Sequence, residues 1–168
     1  TTPESLELQR LFSKMVEEKV EVVVMEVSSQ SLKLHRVDGC DFDIVLFTNF
    51  SEDHISANEH PDMEDYFQSK LKLFKMCKTG IVNTDDLHGA KIPRLFPESD
   101  ITTYGIDNYA NVLAKDITIT NSYVDFKVKI TDRNERVKTG IPGRFSVYNS
   151  LASICVAQKF GISPEQVK

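Results

Sequence analysis

Two apolar runs in this chain end in groups that bind metal ions or phosphate. The first, Val22-Val23-Val24-Met25-Glu26-Val27-Ser28-Ser29, delivers Glu26 and Ser28. The second, Ile44-Val45-Leu46-Phe47-Thr48-Asn49-Phe50-Ser51-Glu52-Asp53-His54, delivers Asn49 and His54. Apolar, β-branched runs without polar alternation predict strands covered on both faces, as in a parallel sheet, and such sheets bind ligands at the carboxyl ends of their strands. The four residues are therefore expected along one edge. A carboxylate and an imidazole leave coordination positions for water and phosphate oxygens, which suits magnesium. The alternatives are a solvated strand-end glutamate and a surface histidine. His60, six residues on, is a competing ligand, while His35 and His88 fall in segments that read as helix surface.

A lysine belongs with this group. Pro61-Asp62 opens a helical pattern whose apolar stripe is Met63, Tyr66, Phe67, Leu71 and Phe74, and Lys70 lies on the same stripe. Burial disfavours an ammonium and lowers its pKa, leaving a neutral amine that can react with carbon dioxide to give a carbamate. A lysine so placed can equally snorkel its charge out to water. Ser28 and Ser29 precede a short helical segment and can donate to an anion at its start, with Arg36 in reach of a phosphate; an N-cap serine pair and a surface arginine explain the same residues. The chain has no G-x-x-x-x-G-K-[ST] loop and no G-x-G-x-x-G.

The elements that position these residues follow from periodicity. A helix is predicted over 3–18, a strand over 20–27, a short helix over 30–35, a strand over 42–50, a helix over 62–77 and a strand over 80–83. A helix near 86–95 and a short strand over 101–104 follow. This βα alternation predicts an α/β fold with a mostly parallel sheet flanked by helices. From 112 to 141 the period becomes two, with Val124, Phe126, Val128 and Ile130 alternating with Asp125, Lys127 and Lys129, and predicts a small antiparallel subsheet. After Pro142-Gly143 the pattern returns to helix.

Composition narrows the class. With 168 residues, 40 % of them hydrophobic and 27 % charged, one domain with a substantial core is the default. A formal charge of −5 and scattered Lys and Arg argue against a nucleic-acid surface. No apolar run is long enough for a membrane span. Cys40, Cys77 and Cys155 are odd in number and far apart, as expected of reduced thiols in a cytoplasmic protein.

The motifs together are more specific than their parts. Met25-Glu26-Val27-Ser28-Ser29, His35-Arg36-Val37, the segment from Phe47 to His54, Tyr66-Phe67-Gln68-Ser69-Lys70, Asn83-Thr84-Asp85-Asp86 and Gly143-Arg144-Phe145-Ser146-Val147-Tyr148-Asn149 occur in the order found in the central domain of Mur ligases. The chain resembles that family over essentially its whole length, and most of all its members that add the third amino acid of the peptidoglycan stem peptide. The resemblance implies a P-loop-NTPase-like central domain of a cytoplasmic, ATP- and magnesium-dependent ligase. Such an enzyme joins an amino acid to UDP-N-acetylmuramoyl-dipeptide through an acyl phosphate. It implies further that Glu26, His54 and Lys70 hold magnesium, Lys70 as a bridging carbamate with a catalytic role. Thr1, Thr2, Ser28 and Arg36 are implied contacts of the UDP-muramoyl peptide, Asn49 of the ATP phosphates and Asn149 of adenine. The family's substrate domain and ATP loop lie upstream of the stretch matching 1–168 and its amino-acid-selecting domain downstream. The chain is thus expected to be one domain of a longer protein, inactive alone. Another amide ligase of the same superfamily, acting on folates or building another polymer, and a non-catalytic nucleotide-binding module are the competing readings.

Overall fold

A sheet forms where alternating apolar side chains can be covered on one face, and β5 (Val124–Ile130) shows this most clearly. Val124, Phe126, Val128 and Ile130 are buried, while Lys127 and Lys129 face solvent. The computed structural model describes residues 2–52, 55, 56 and 59–167. Its chain divides into two compact units, one made of Thr1–Phe42 and Glu52–Cys77, the other of Asp43–Ser51 and Lys78–Lys168.

The second unit holds the sheet. Its strands β1 (Phe42–Phe47), β2 (Cys77–Asn83), β3 (Asp100–Gly105), β4 (Val112–Ile119), β5 and β6 (Arg133–Thr139) lie in that order. β2 pairs with β3 and β3 with β4 in parallel, whereas β4 with β5 and β5 with β6 are antiparallel. The α/β class and the antiparallel subsheet expected near 112–141 are both present. Of this unit's helices, the long one packs against β3, β4 and β5 and places Val147, Leu151, Ile154 and Cys155 in one cluster with Ile81, Tyr104, Phe126 and Val128. Ahead of it a short helix, Ile92–Leu95, stands where 86–95 was expected.

In the first unit, α1 (Ser5–Glu17) and α2 (Ser29–Lys33) bring Leu8 and Leu32 into a smaller cluster with Val37, and α3 (Met63–Leu71) packs on α2. Phe12, Met25, Val27, Phe42, Leu73 and Met76 pack against it. Helix α3 starts where the Asp62 carboxylate accepts from Asp65 N at 2.8 Å, an N-cap. The helical pattern read over 62–77 is realised as α3 followed by 3-10 turns over Lys72–Met76. Its amphipathic spacing survives the change of pitch. α4 and α5 are then Ile92–Leu95 and Arg144–Lys159, and α6 is Pro164–Val167.

One expectation fails. The run read as a buried strand over 20–27 carries no strand ladder among the described residues. Val22, Val23 and Val24 are 55 %, 44 % and 93 % exposed. Only its end obeys a two-residue period, with Met25 and Val27 turned to the cluster and Glu26 outward. An apolar run reports a propensity to be paired; the ladder itself needs a partner at the right distance. No described helix is long and apolar enough to cross a membrane.

Phe126 is fully buried, so Phe126→Ala is expected to cost about 3–5 kcal/mol of unfolding free energy. Phe126→Leu, which keeps most of the volume, is expected to cost under about 1.5 kcal/mol. Urea unfolding followed by circular dichroism separates the two, and equal losses would show that this cluster does not carry the second unit.

Candidate functional site

In the first unit the groups gather around the start of α2. Ser28 has extended backbone (φ −72°, ψ 149°) and its Oγ accepts from Ser31 N at 3.2 Å, so it caps the helix. Thr2, buried, holds the preceding turn: its Oγ1 donates to Glu26 O at 3.0 Å and accepts from Ser28 N at 3.1 Å. The Arg36 guanidinium pairs with Glu4 at 2.7 Å and reaches Thr2 O at 3.5 Å. Its Nε is buried and has no partner among the described residues.

Lys70 is half-buried on α3. Its Nζ lies 5.1 Å from the centre of the Tyr66 ring, a cation–π contact. Burial pushes the amine below its ordinary value, and the Glu26 carboxylate, also in this unit, opposes the shift. The structure thus joins Glu26 and Lys70 electrostatically. A neutral amine can take up carbon dioxide as a carbamate, and carboxylate and carbamate oxygens are ligands that suit magnesium. Thr1 and His54 lie outside the described residues, and among those described no three His, Cys, Asp or Glu side chains are arranged to hold a metal ion.

His60 is not free to compete as a ligand. It is fully buried, with Nδ1 at 2.6 Å from Asp65 Oδ2, Nε2 at 2.8 Å from Ser29 Oγ and its ring on Tyr66. Asp65 also takes Lys33 Nζ at 2.8 Å. Hydrogen bonds from Lys33 first and His60 second hold its carboxyl below the usual range.

In the second unit the end of β2 organises the loops around Asn49. Asn83 Nδ2 donates to Thr48 O at 3.0 Å, and Asp86 Oδ2 accepts from Phe50 N at 2.8 Å. The backbone on both sides of Asn49 is therefore fixed while its side chain remains exposed. Asp86 Oδ1 accepts from His88 N and Gly89 N at 2.9 and 2.8 Å. Gly89 is required by contact, since a Cβ there would come within 2.2 Å of Asn83 O.

Asp85 is the most saturated group. Its oxygens accept from Ile106 N at 2.5 Å, Asp107 N at 3.0 Å, Asn108 N at 2.7 Å and the Tyr148 hydroxyl at 3.0 Å. Tyr148 belongs to α5, and Arg144, one turn before it, pairs with Asp107. Asn149 follows on the same helix with its side chain exposed. Asn83-Thr84-Asp85-Asp86 is one of the motifs that carry the resemblance, and the sequence alone assigns these residues no such roles. The signal was the density of Asx residues, which accept from backbone N–H groups where a chain leaves a strand.

Comparison with known proteins fits this frame. Residues 1–157 match the Mur ligase middle domain, and the chain belongs to that family. It is 52 % identical over 169 residues to the UDP-N-acetylmuramoyl-L-alanyl-D-glutamate--2,6-diaminopimelate ligase of Caldanaerobacter subterraneus subsp. tengcongensis, covering 100 % of this chain and 34 % of that protein. It is 43 % identical over 170 residues to ligase 1 of the same description from Clostridium acetobutylicum, again covering 100 % and 34 %. A solved structure of a ligase of that description superposes with a TM-score of 0.86 at 25 % identity, over 99 % of this chain and 35 % of that one. The chain spans about a third of the length of these relatives.

Two stability predictions follow from the ionisable groups. Burial raises the Asp85 carboxyl, but the backbone N–H groups of Asp107, Ile106 and Asn108 and the Tyr148 hydroxyl outweigh it, so the folded value lies below the ordinary one. The folded state therefore gains stability from Asp85 above about pH 4 and loses it as the pH falls through the depressed value. Asp85→Asn is expected to cost about 1–3 kcal/mol at neutral pH and to flatten the acid limb of the unfolding curve; an unchanged limb would refute the assignment. Lys70 has the opposite sign. Its folded value is lowered, so between that value and about 10.5 the unfolded chain binds more protons and stability rises with pH. Lys70→Met is expected to raise the melting temperature of this chain at neutral pH and remove that rise, as differential scanning calorimetry would show.

Proposed function

We propose that this chain is the central, nucleotide- and substrate-binding domain of a cytoplasmic ligase that joins 2,6-diaminopimelate to UDP-N-acetylmuramoyl-dipeptide with hydrolysis of ATP. The amino acid and the acceptor are those in the names of the relatives above. The observation that carries the reading is Lys70: a half-buried amine, lowered by burial, with Glu26 as its electrostatic neighbour. As a bare ammonium it costs stability; as a carbamate it becomes an anion suited to a divalent cation. In this reading Glu26, His54 and carbamylated Lys70 would hold magnesium, which would supply neutralisation of phosphate charge.

The remaining roles divide by unit. In the first, Ser28 and Arg36, with Thr1 and Thr2, hold the UDP-muramoyl peptide. The unpartnered Arg36 Nε and the Glu4 pair leave the guanidinium able to turn to a carboxylate or phosphate. In the second, Asn49 faces the phosphates and Asn149 the adenine, each on backbone held by the polar end of β2 or by α5. The substrate carboxylate takes the γ-phosphoryl group of ATP with departure of ADP to form an acyl phosphate, and the amine of the amino acid attacks its carbonyl to form the amide with departure of phosphate and loss of a proton. The substrate domain, ATP loop and amino-acid-selecting domain belong to the remaining two thirds of the protein, so this chain alone is inactive. A coverage of 34 % of the relatives supports that division.

In the full-length ligase, Arg36→Ala is expected to raise KM for the UDP-muramoyl substrate roughly tenfold or more and leave KM for ATP nearly unchanged. Lys70→Ala is expected to lower kcat at least roughly a hundredfold, with partial recovery on adding a short carboxylic acid that occupies the vacated site. Near-normal turnover of Lys70→Ala with full magnesium dependence would show a snorkelling lysine and sink the metal assignment.

A further inference from the structure

Ser29, His60 and Asp65 form a hydrogen-bonded line inside the first unit, and none of the roles above uses it. Each end lies beside a residue that the proposed function needs. Ser29 is the first residue of α2 and neighbours Ser28. Asp65 is in the first turn of α3, followed by Tyr66, whose ring both packs at a tilt against His60, with centroids 5.0 Å apart, and underlies Lys70 Nζ. An ionised Asp65 only accepts, so His60 Nδ1 donates to it, and Nε2 pairs with the Ser29 hydroxyl at 2.8 Å. His60 is fully buried and Ser29 nearly so. The backbone of His60 is anchored as well, Ser56 N donating to His60 O at 3.1 Å. At the far end of α2, Lys33 Nζ reaches Asp65 at 2.8 Å and Glu59 O at 3.1 Å. That ion pair is half-exposed and screened, so the dry imidazole is the stronger tie.

We propose that His60 is a positioning residue that sets the register between the Ser28 loop and the helix carrying Lys70, holding substrate contact and lysine in fixed relation through Ser29 and Tyr66. The inference rests on the reading of Ser28, Arg36 and Lys70 given above. A position filled only for packing is served better by phenylalanine, which has no buried polar groups to pair. Here both nitrogens are matched to groups on the two helices that must stay aligned.

The test uses the full-length ligase with Ser29→Ala, His60→Phe, the double variant and His60→Gln. Ser29→Ala and His60→Phe are each expected to raise KM for the UDP-muramoyl substrate roughly five- to tenfold while KM for ATP stays within about twofold. The double variant is expected to be no worse than the worse single one, because both break the same link. His60→Gln, whose amide can still hydrogen-bond the Ser29 hydroxyl, is expected to recover part of the loss. If His60→Phe fails to fold, Ser29→Ala against His60→Gln decides. Additive effects, equal changes in both KM values, or a lowered melting temperature with unchanged KM would show an ordinary core histidine and overturn the proposal. Arg36→Ala separates the two levels. If it raises KM for the UDP-muramoyl substrate and the Ser29 and His60 variants do not, the positioning role alone falls; if it has no effect, the substrate reading falls and takes this inference with it.

Discussion

Where a chain leaves a parallel strand, its backbone N–H and C=O groups lose the ladder and must find other partners, and this requirement shapes the loops that matter here. At the end of β2 four consecutive polar residues meet it. Asn83 takes Thr48 O, Asp86 takes Phe50 N and the start of the next turn, and Asp85 gathers three successive N–H groups of the 106–108 loop. A carboxylate suits this work because it only accepts and has room for four donors. Remove one of these side chains and two loops lose their anchor together. The exposed side chain of Asn49 is held in place because the main chain on each side of it is already paired.

The first unit solves a different problem with the same means. α2 is five residues long, too short to be stable alone, so its position depends on what its ends touch. Thr2 fixes the turn before it, Ser28 caps it, His60 grips its first residue and Asp65 its last. Against this frame Lys70 is the costly element. Its amine is half-buried without a hydrogen bond among the described residues, and the Tyr66 ring and the Glu26 charge offset desolvation only in part. An apolar residue there would avoid that desolvation, so the lysine is a place where the fold gives up stability.

Local pattern carried much of this into the sequence. Period two identified β5 because every other residue from Val124 to Ile130 is apolar, and Asp62 with the stripe that follows it announced α3. The resemblance to Mur ligases rested on short motifs at strand and helix ends, where spacing is fixed by chemistry as well as by fold. What stayed hidden was non-local. The run over 20–27 has the composition of a buried strand, but exposure of Val24 depends on neighbours that composition cannot report. Asp85 gave no sign of which N–H groups it would collect 21 to 23 residues away. His60 read as a spare metal ligand because its partners, Ser29 and Asp65, lie on separate helices 31 residues back and five ahead.

Saturation then separates two kinds of polar residue that look alike in the sequence. Asp85 and His60 have their hydrogen-bonding capacity filled by protein groups, and both oxygens of Asp86 are engaged by backbone N–H groups. They cannot bind a ligand without dismantling a loop, and so belong to the frame. Lys70, the Glu26 carboxylate, the Asn149 amide and the Arg36 Nε have capacity unmatched among the described residues, in the last case although buried. Buried unmatched donors are rare in folded proteins and need a reason. Of the residues with spare capacity, the family resemblance assigns Glu26 and Lys70 to metal, Asn149 to nucleotide and Arg36 to substrate, whereas Thr2, assigned to substrate as well, has its hydroxyl taken by Glu26 O and Ser28 N and serves the frame at the same time. The polar sequence at these loops is therefore two interleaved sets, one that fixes the backbone and one that the fixed backbone presents.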